Sequence, residues 1–99
     1  MNNREKVEKM TEFLPVGTVV LLKGATRPVV IIGFTTKEEG KEEIWDYLGC
    51  AYPFGVMGQD QNLLFQRKDI EKVIFKGYVD EEGSNFLKLI EESLKKIKP

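Results

Sequence analysis

The sequence predicts a small α+β domain: a strongly curled antiparallel sheet of four to five strands, open or closed into a barrel, with one helix before it and one after it. Three observations lead there. Apolar residues recur at spacings of three and four near both ends of the chain, at Val7, Met10 and Leu14 and again at Phe86, Ile90, Leu94 and Ile97. Between them lie β-branched and aromatic runs punctuated by glycine and proline. The segments joining those runs are mostly shorter than the roughly twelve residues that a parallel crossover needs, which leaves antiparallel pairing.

Taken in order, Asn2–Leu14 is the first helix, capped by Asn2 or Asn3, supported by Glu5 and Lys9 in the favourable i,i+4 order, and ended by Pro15. Val16–Lys23 is a strand, Gly24–Pro28 a hairpin connection and Pro28–Thr35 the returning strand. The unbroken run Val29-Val30-Ile31-Ile32 predicts that both faces of this strand are covered, by the sheet's own curl or by a helix. Lys37–Glu43, with Gly40 in the middle, is a solvated turn. Its glutamates alternate with lysines and lack the spaced ligands of a calcium loop, so the cluster is charged surface rather than a metal site.

Ile44–Tyr52 is the third strand and Pro53 stops it. Asn62–Gln66 is a short strand, Asp69 caps a single turn, and Lys72–Tyr78 is a further strand. The last helix is the most regular element. Phe86, Ile90, Leu94 and Ile97 line it with Leu87 beside them, while Asp80, Glu81 and Glu82 at its start and Lys95, Lys96 and Lys98 at its end complement the macrodipole.

Composition narrows the function. A chain of 99 residues that is 41% hydrophobic is one globular domain, residues 1–99. Fifteen basic and sixteen acidic residues give a net charge of -1, which sets up no field for a polyanion, and no lysine or arginine stands between Lys41 and Arg67. Nucleic acid is therefore not the expected partner. The single Cys50 cannot form an intramolecular disulfide, and without histidine it joins no Cys/His zinc set. No metal or cofactor is expected, and a reducing cytoplasm suits the thiol. No apolar run approaches the roughly 20 residues of a spanning helix, so membrane insertion is not expected.

Catalytic arrangements are equally sparse. Cys50 has no histidine to activate it and suits a packed small residue. Asp46 with Asp60 or Asp69 would serve as acid and base only if folding brought them together. Gly49, Gly55 and Gly58 match neither a P-loop nor a dinucleotide fingerprint. The expectation is a non-enzymatic binding protein.

Its contact residues are sought in the tract Ile44–Gly58, where Trp45, Tyr47, Tyr52 and Phe54 lead into a loop shaped by Pro53 and Gly55. Trp45 and Tyr47 suit either a place under a helix or an aromatic groove. Tyr52 and Phe54 flank a proline in a turn, where fewer neighbours can bury them, and suit a contact patch. The terminal helix offers Leu87 and Leu94 as a second apolar surface.

The succession Leu14-Pro15-Val16-Gly17-Thr18-Val19-Val20-Leu21-Leu22-Lys23, Pro28-Val29-Val30-Ile31-Ile32-Gly33, Trp45-Asp46-Tyr47-Leu48-Gly49-Cys50-Ala51-Tyr52-Pro53-Phe54-Gly55 and Asp69-Ile70-Glu71-Lys72-Val73-Ile74-Phe75-Lys76-Gly77-Tyr78 resembles an uncharacterised-domain family. Its members are small Gram-positive proteins encoded beside type VII secretion genes and LXG-domain toxins, and the resemblance runs from about Leu14 to Phe86. It implies an accessory, targeting or chaperone-like role in toxin export, exercised in the cytoplasm. The implied partner is the helical leader of an LXG-type toxin, its small helical companion proteins, or both, met through Trp45, Tyr47, Tyr52, Pro53 and Phe54 or through Leu87 and Leu94. The chain differs from WXG-type secreted proteins, which are helical hairpins with a Trp-x-Gly turn, because Trp45 opens a Trp-Asp-Tyr-Leu-Gly tract in a β-rich middle. Two alternatives stand beside this one: a small-barrel nucleic-acid or ligand-binding regulator, and a toxin-neutralising immunity protein.

Overall fold

Valines and leucines bounded by glycine and proline form the first hairpin. Strand β1 (Val19–Leu22) pairs antiparallel with β2 (Val29–Lys37), placing Val19 opposite Val30 and Val20 opposite Val29. The computed structural model describes residues 13–37, 39–58 and 61–97. β2 pairs in turn with β3 (Ile44–Ala51), and β3 with β4 (Leu63–Phe65). A single 3-10 turn over Arg67–Asp69 follows, started by the Gln66 N–H donating to Asp69 Oδ2 at 2.9 Å. β5 (Ile70–Phe75) then crosses back to lie beside β1, so the five strands run in the order β4-β3-β2-β1-β5 with every pair antiparallel.

Helix α1 (Glu81–Ile97) closes the described chain. Asp80 caps it: its Oδ1 accepts the Gly83 N–H at 2.8 Å, satisfying a donor that the first helical turn otherwise leaves unpaired, and its carbonyl accepts the first intrahelical bond, from the Ser84 N–H at 2.8 Å.

The structure decides between the open and the closed sheet. The sheet is open, not a barrel: β4 offers only three residues and β5 takes its partner from β1, so the two edge strands stay apart and no ladder joins them. Along β2 burial alternates, with Val29 and Ile31 buried and Val30 and Ile32 half-buried. The unbroken apolar run thus marks a strand with one face buried and the other partly covered. The helix expected over Asn2–Leu14 lies, through residue 12, outside the described residues, and Phe13 and Leu14 are not helical.

The core sits between the sheet and α1. Val20, Val29, Ile31, Tyr47, Phe65 and Ile70 from the strands meet Ile90 and Leu94 from the helix, and Phe13 joins them. A bulge in β2 shapes this layer. Ile31 opposes Gly49 and Gly33 opposes Leu48, so Ile32 has no opposite number, and Phe34 lands on the same side as Ile31, where it pairs with Tyr47. Phe13 then packs edge-on against both Phe34 and Tyr47, with centroids 5.9 and 5.3 Å apart, the arrangement favoured by the ring quadrupoles.

The junction of β5 with the chain before β1 is held by a close backbone contact. Gly77 N–H donates to the buried Thr18 Oγ1 at 3.0 Å, and a Cβ at Gly77 would lie 2.5 Å from the Val16 carbonyl oxygen and 2.9 Å from the Thr18 nitrogen. These are main-chain atoms that cannot rotate away. Gly77→Ala should therefore cost about 1 to 3 kcal/mol, the range of overpacking changes. A denaturation midpoint indistinguishable from the parent's would show that the junction yields.

Candidate partner-binding surface

β3 delivers the aromatic tract to two different environments. Tyr47 lies in its middle, opposite Phe34 on one side and Phe65 on the other, and is completely buried. Its hydroxyl accepts the Leu14 N–H at 2.8 Å. Burial pushes the phenol up to about 12 from 10.0; the Leu14 bond and Arg67 oppose that rise, while Asp46 and Glu91 add to it. Tyr47 is thus a core residue and not a contact residue. Trp45, opposite Thr36, is half-buried.

After Ala51 the chain leaves the sheet, and its aromatics leave the core with it. The turn is built on main-chain bonds: Tyr52 N–H donates to the Pro28 carbonyl at 3.0 Å and Gly55 N–H to the Ala51 carbonyl at 3.0 Å. The Tyr52-Pro53 peptide is cis, and Gly55 has φ of 75°, which glycine adopts without steric penalty. Tyr52, Pro53, Phe54, Val56 and Met57 are all exposed, Phe54 at 56% and Met57 at 66%. Arg27, from the β1–β2 connection, braces the loop. Its Nη1 donates to the Tyr52 carbonyl at 3.3 Å, and its guanidinium carbon stands 4.9 Å from the centre of the Phe54 ring. The structure therefore gathers Tyr52, Pro53 and Phe54 into one exposed, braced loop and separates them from Tyr47.

The helix residues are placed otherwise than expected. Leu94 is buried, and Leu87 packs half-buried against the core, because the sheet draws in the side of α1 that carries Leu87, Ile90 and Leu94. Among the described side chains of the helix, the exposed large apolar ones are Phe86 and Leu89. A second exposed group, which the sequence reading passed over, runs along β5 and beyond it: Val73, Ile74, Phe75 and Tyr78, with Val16 near Gly77. The signal was available in the apolar triplet between Lys72 and Lys76, since flanking lysines are a common feature of edge strands.

Asp46, Asp69 and Glu91 are committed to architecture. Asp46 Oδ2 accepts the Arg67 N–H at 2.8 Å and faces its Nε at 3.5 Å, while Arg67 Nη1 meets both carboxylate oxygens of Glu91 at 2.8 and 3.0 Å. The same guanidinium lies 4.5 Å from the centre of the Phe13 ring, so one side chain ties β3, the 3-10 turn, α1 and Phe13 together. Asp46 and Asp69 bind separate backbone N–H groups, of Arg67 and Gln66. Asp60 lies outside the described residues. Cys50 is a buried free thiol. Among the described residues no group of three or more histidine, cysteine or acidic side chains is placed to hold a metal ion, and no helix is long and apolar enough to cross a membrane.

Neither a curated protein nor a solved structure matches the chain. A family model does match, over residues 13–86, a span that holds all five strands, the braced loop and the first turn of α1, and the chain accordingly belongs to the family described as a domain of unknown function, DUF4176.

Proposed function

We propose that this domain is a non-enzymatic interaction module that acts in the cytoplasm as an accessory targeting factor or chaperone in the export of an LXG-type toxin by a type VII secretion system. Its partner in this reading is the toxin's helical leader or the small helical proteins that accompany it. The observation that carries the reading is the loop after β3, where Tyr52, Phe54, Val56 and Met57 are exposed together on a backbone fixed by its own hydrogen bonds and by Arg27. Large apolar side chains held out in water on a pre-shaped loop suit a protein interface, because little ordering entropy is lost when a partner covers them.

Aromatic anchors dominate interface energies, with truncation at a hot spot costing ~2 kcal/mol or more. The double change Tyr52→Ala and Phe54→Ala should weaken complex formation at least tenfold, about 1.4 kcal/mol, without loss of secondary structure. Co-purification with the helical leader of an LXG-type toxin, with circular dichroism on the same samples, measures both. A folded double variant that binds as tightly as the parent would remove the loop from the interface.

A further inference from the structure

We infer that Arg27 is the specificity-determining residue of this surface, and that it selects a partner helix carrying an aspartate or glutamate one turn from the apolar side chains that seat on Phe54. The inference rests on the interaction-module reading of the loop and adds the partner's chemistry to it. Arg27 is exposed, and its described contacts are the Tyr52 carbonyl and the face of Phe54, neither of which is an anion. One donor of the guanidinium fork is used, at the long distance of 3.3 Å, which leaves others for a partner. Contrast Arg67, whose Nη1 meets both carboxylate oxygens of Glu91 and whose Nε faces Asp46. The fold thus holds one arginine that is neutralised by its own carboxylates and one that is presented without any among the described residues.

Geometry gives the spacing. The guanidinium carbon and the Phe54 ring centre are 4.9 Å apart, comparable with the roughly 5 to 6 Å between the Cβ atoms of residues three or four apart on one helix face. A helix laid across the loop can therefore set a carboxylate on Arg27 and a leucine-like side chain on the exposed part of Phe54 at once, with Val56 and Met57 receiving the next apolar turn. A planar fork pairs with a carboxylate in two parallel bonds, so the contact reads orientation as well as charge. Stacking on Phe54 pre-orients the guanidinium and lowers the cost of making that pair.

The test uses the full chain and the purified leader as probe, with affinity measured at low and at high salt. Arg27→Gln should weaken binding tenfold or more at low salt and flatten its salt dependence, and Arg27→Lys should restore only part of the loss. Neutralising the leader's acidic residues singly should reveal one whose loss matches that of Arg27→Gln and is not additive with it. Binding by Arg27→Gln within twofold of the parent, with unchanged salt dependence, overturns the inference. If Tyr52→Ala with Phe54→Ala still abolishes binding in that case, only the charge pairing has failed; if that variant also binds normally, the interaction-module reading of the loop has failed with it.

Discussion

Tyr47→Ala should remove about 3 to 5 kcal/mol of stability, the usual cost of emptying a buried aromatic site. Tyr47 is the largest of the fully buried side chains described, and its ring touches Phe13, Phe34 and Phe65, three separate segments of the chain. Phe34 and Phe65 are held in β2 and β4 and cannot close in to fill the void. For a domain of this size, whose total stability is of the order of 5 to 15 kcal/mol, such a loss brings unfolding within reach at room temperature. Tyr47→Phe keeps the ring and forfeits only the bond to the Leu14 N–H, so it should cost about 1 to 2 kcal/mol. Denaturant titration of the two variants gives the comparison directly. Near-equal midpoints for alanine and phenylalanine would mean that the ring is not packed as described.

Alkali should destabilise the fold through the same side chain. The unfolded phenol titrates near 10.0 and the folded one near 12, so the unfolded chain gives up its proton first. The stabilisation from the neutral, buried phenol is thus fully present below pH 10 and is lost as pH rises through the folded value, about 12. Two pH units correspond to about 2 to 3 kcal/mol at ~1.36 kcal/mol each. Other groups titrate in this range, and Tyr47→Phe separates them: its stability should fall less steeply than the parent's between pH 10 and 12. Parallel profiles would place the hydroxyl in water rather than in the core.

Much of the architecture was legible in the sequence, and the misses share a cause. Gly24 to Pro28 announced the first hairpin, the stop at Pro53 ended β3 within a residue of its observed end, and Asp80 with Glu81 and Glu82 marked the start of α1. These are local signals, read over a few neighbouring residues. The strand order was not legible, because Val19 meets Phe75 across more than fifty residues and no local pattern records that choice. The sorting of the aromatics follows from the same non-local fact. Tyr47 and Tyr52 are five residues apart on one strand and its turn, yet one is enclosed by Phe65 and Phe13 and the other has no strand beside it. Helical spacing found an apolar face on α1 but not its centre, which falls on Leu87, Ile90 and Leu94 and leaves Phe86 at the margin.

The irregular seam between β1 and β5 bears on solubility. Val19 opposes Phe75 while Val20 opposes Val73, and Leu21 opposes Lys72 while Leu22 opposes Ile70, so Ile74 and Glu71 are each one residue too many for the ladder. An edge strand carrying Val73, Ile74 and Phe75 exposed would, if flat, be a template for another chain to add to by backbone pairing. Two bulges within six residues twist that template out of register with any straight strand, and Lys72 and Lys76 bracket what remains with charge. The surplus residues thus oppose the addition of a further copy of the chain to this apolar rim by backbone pairing.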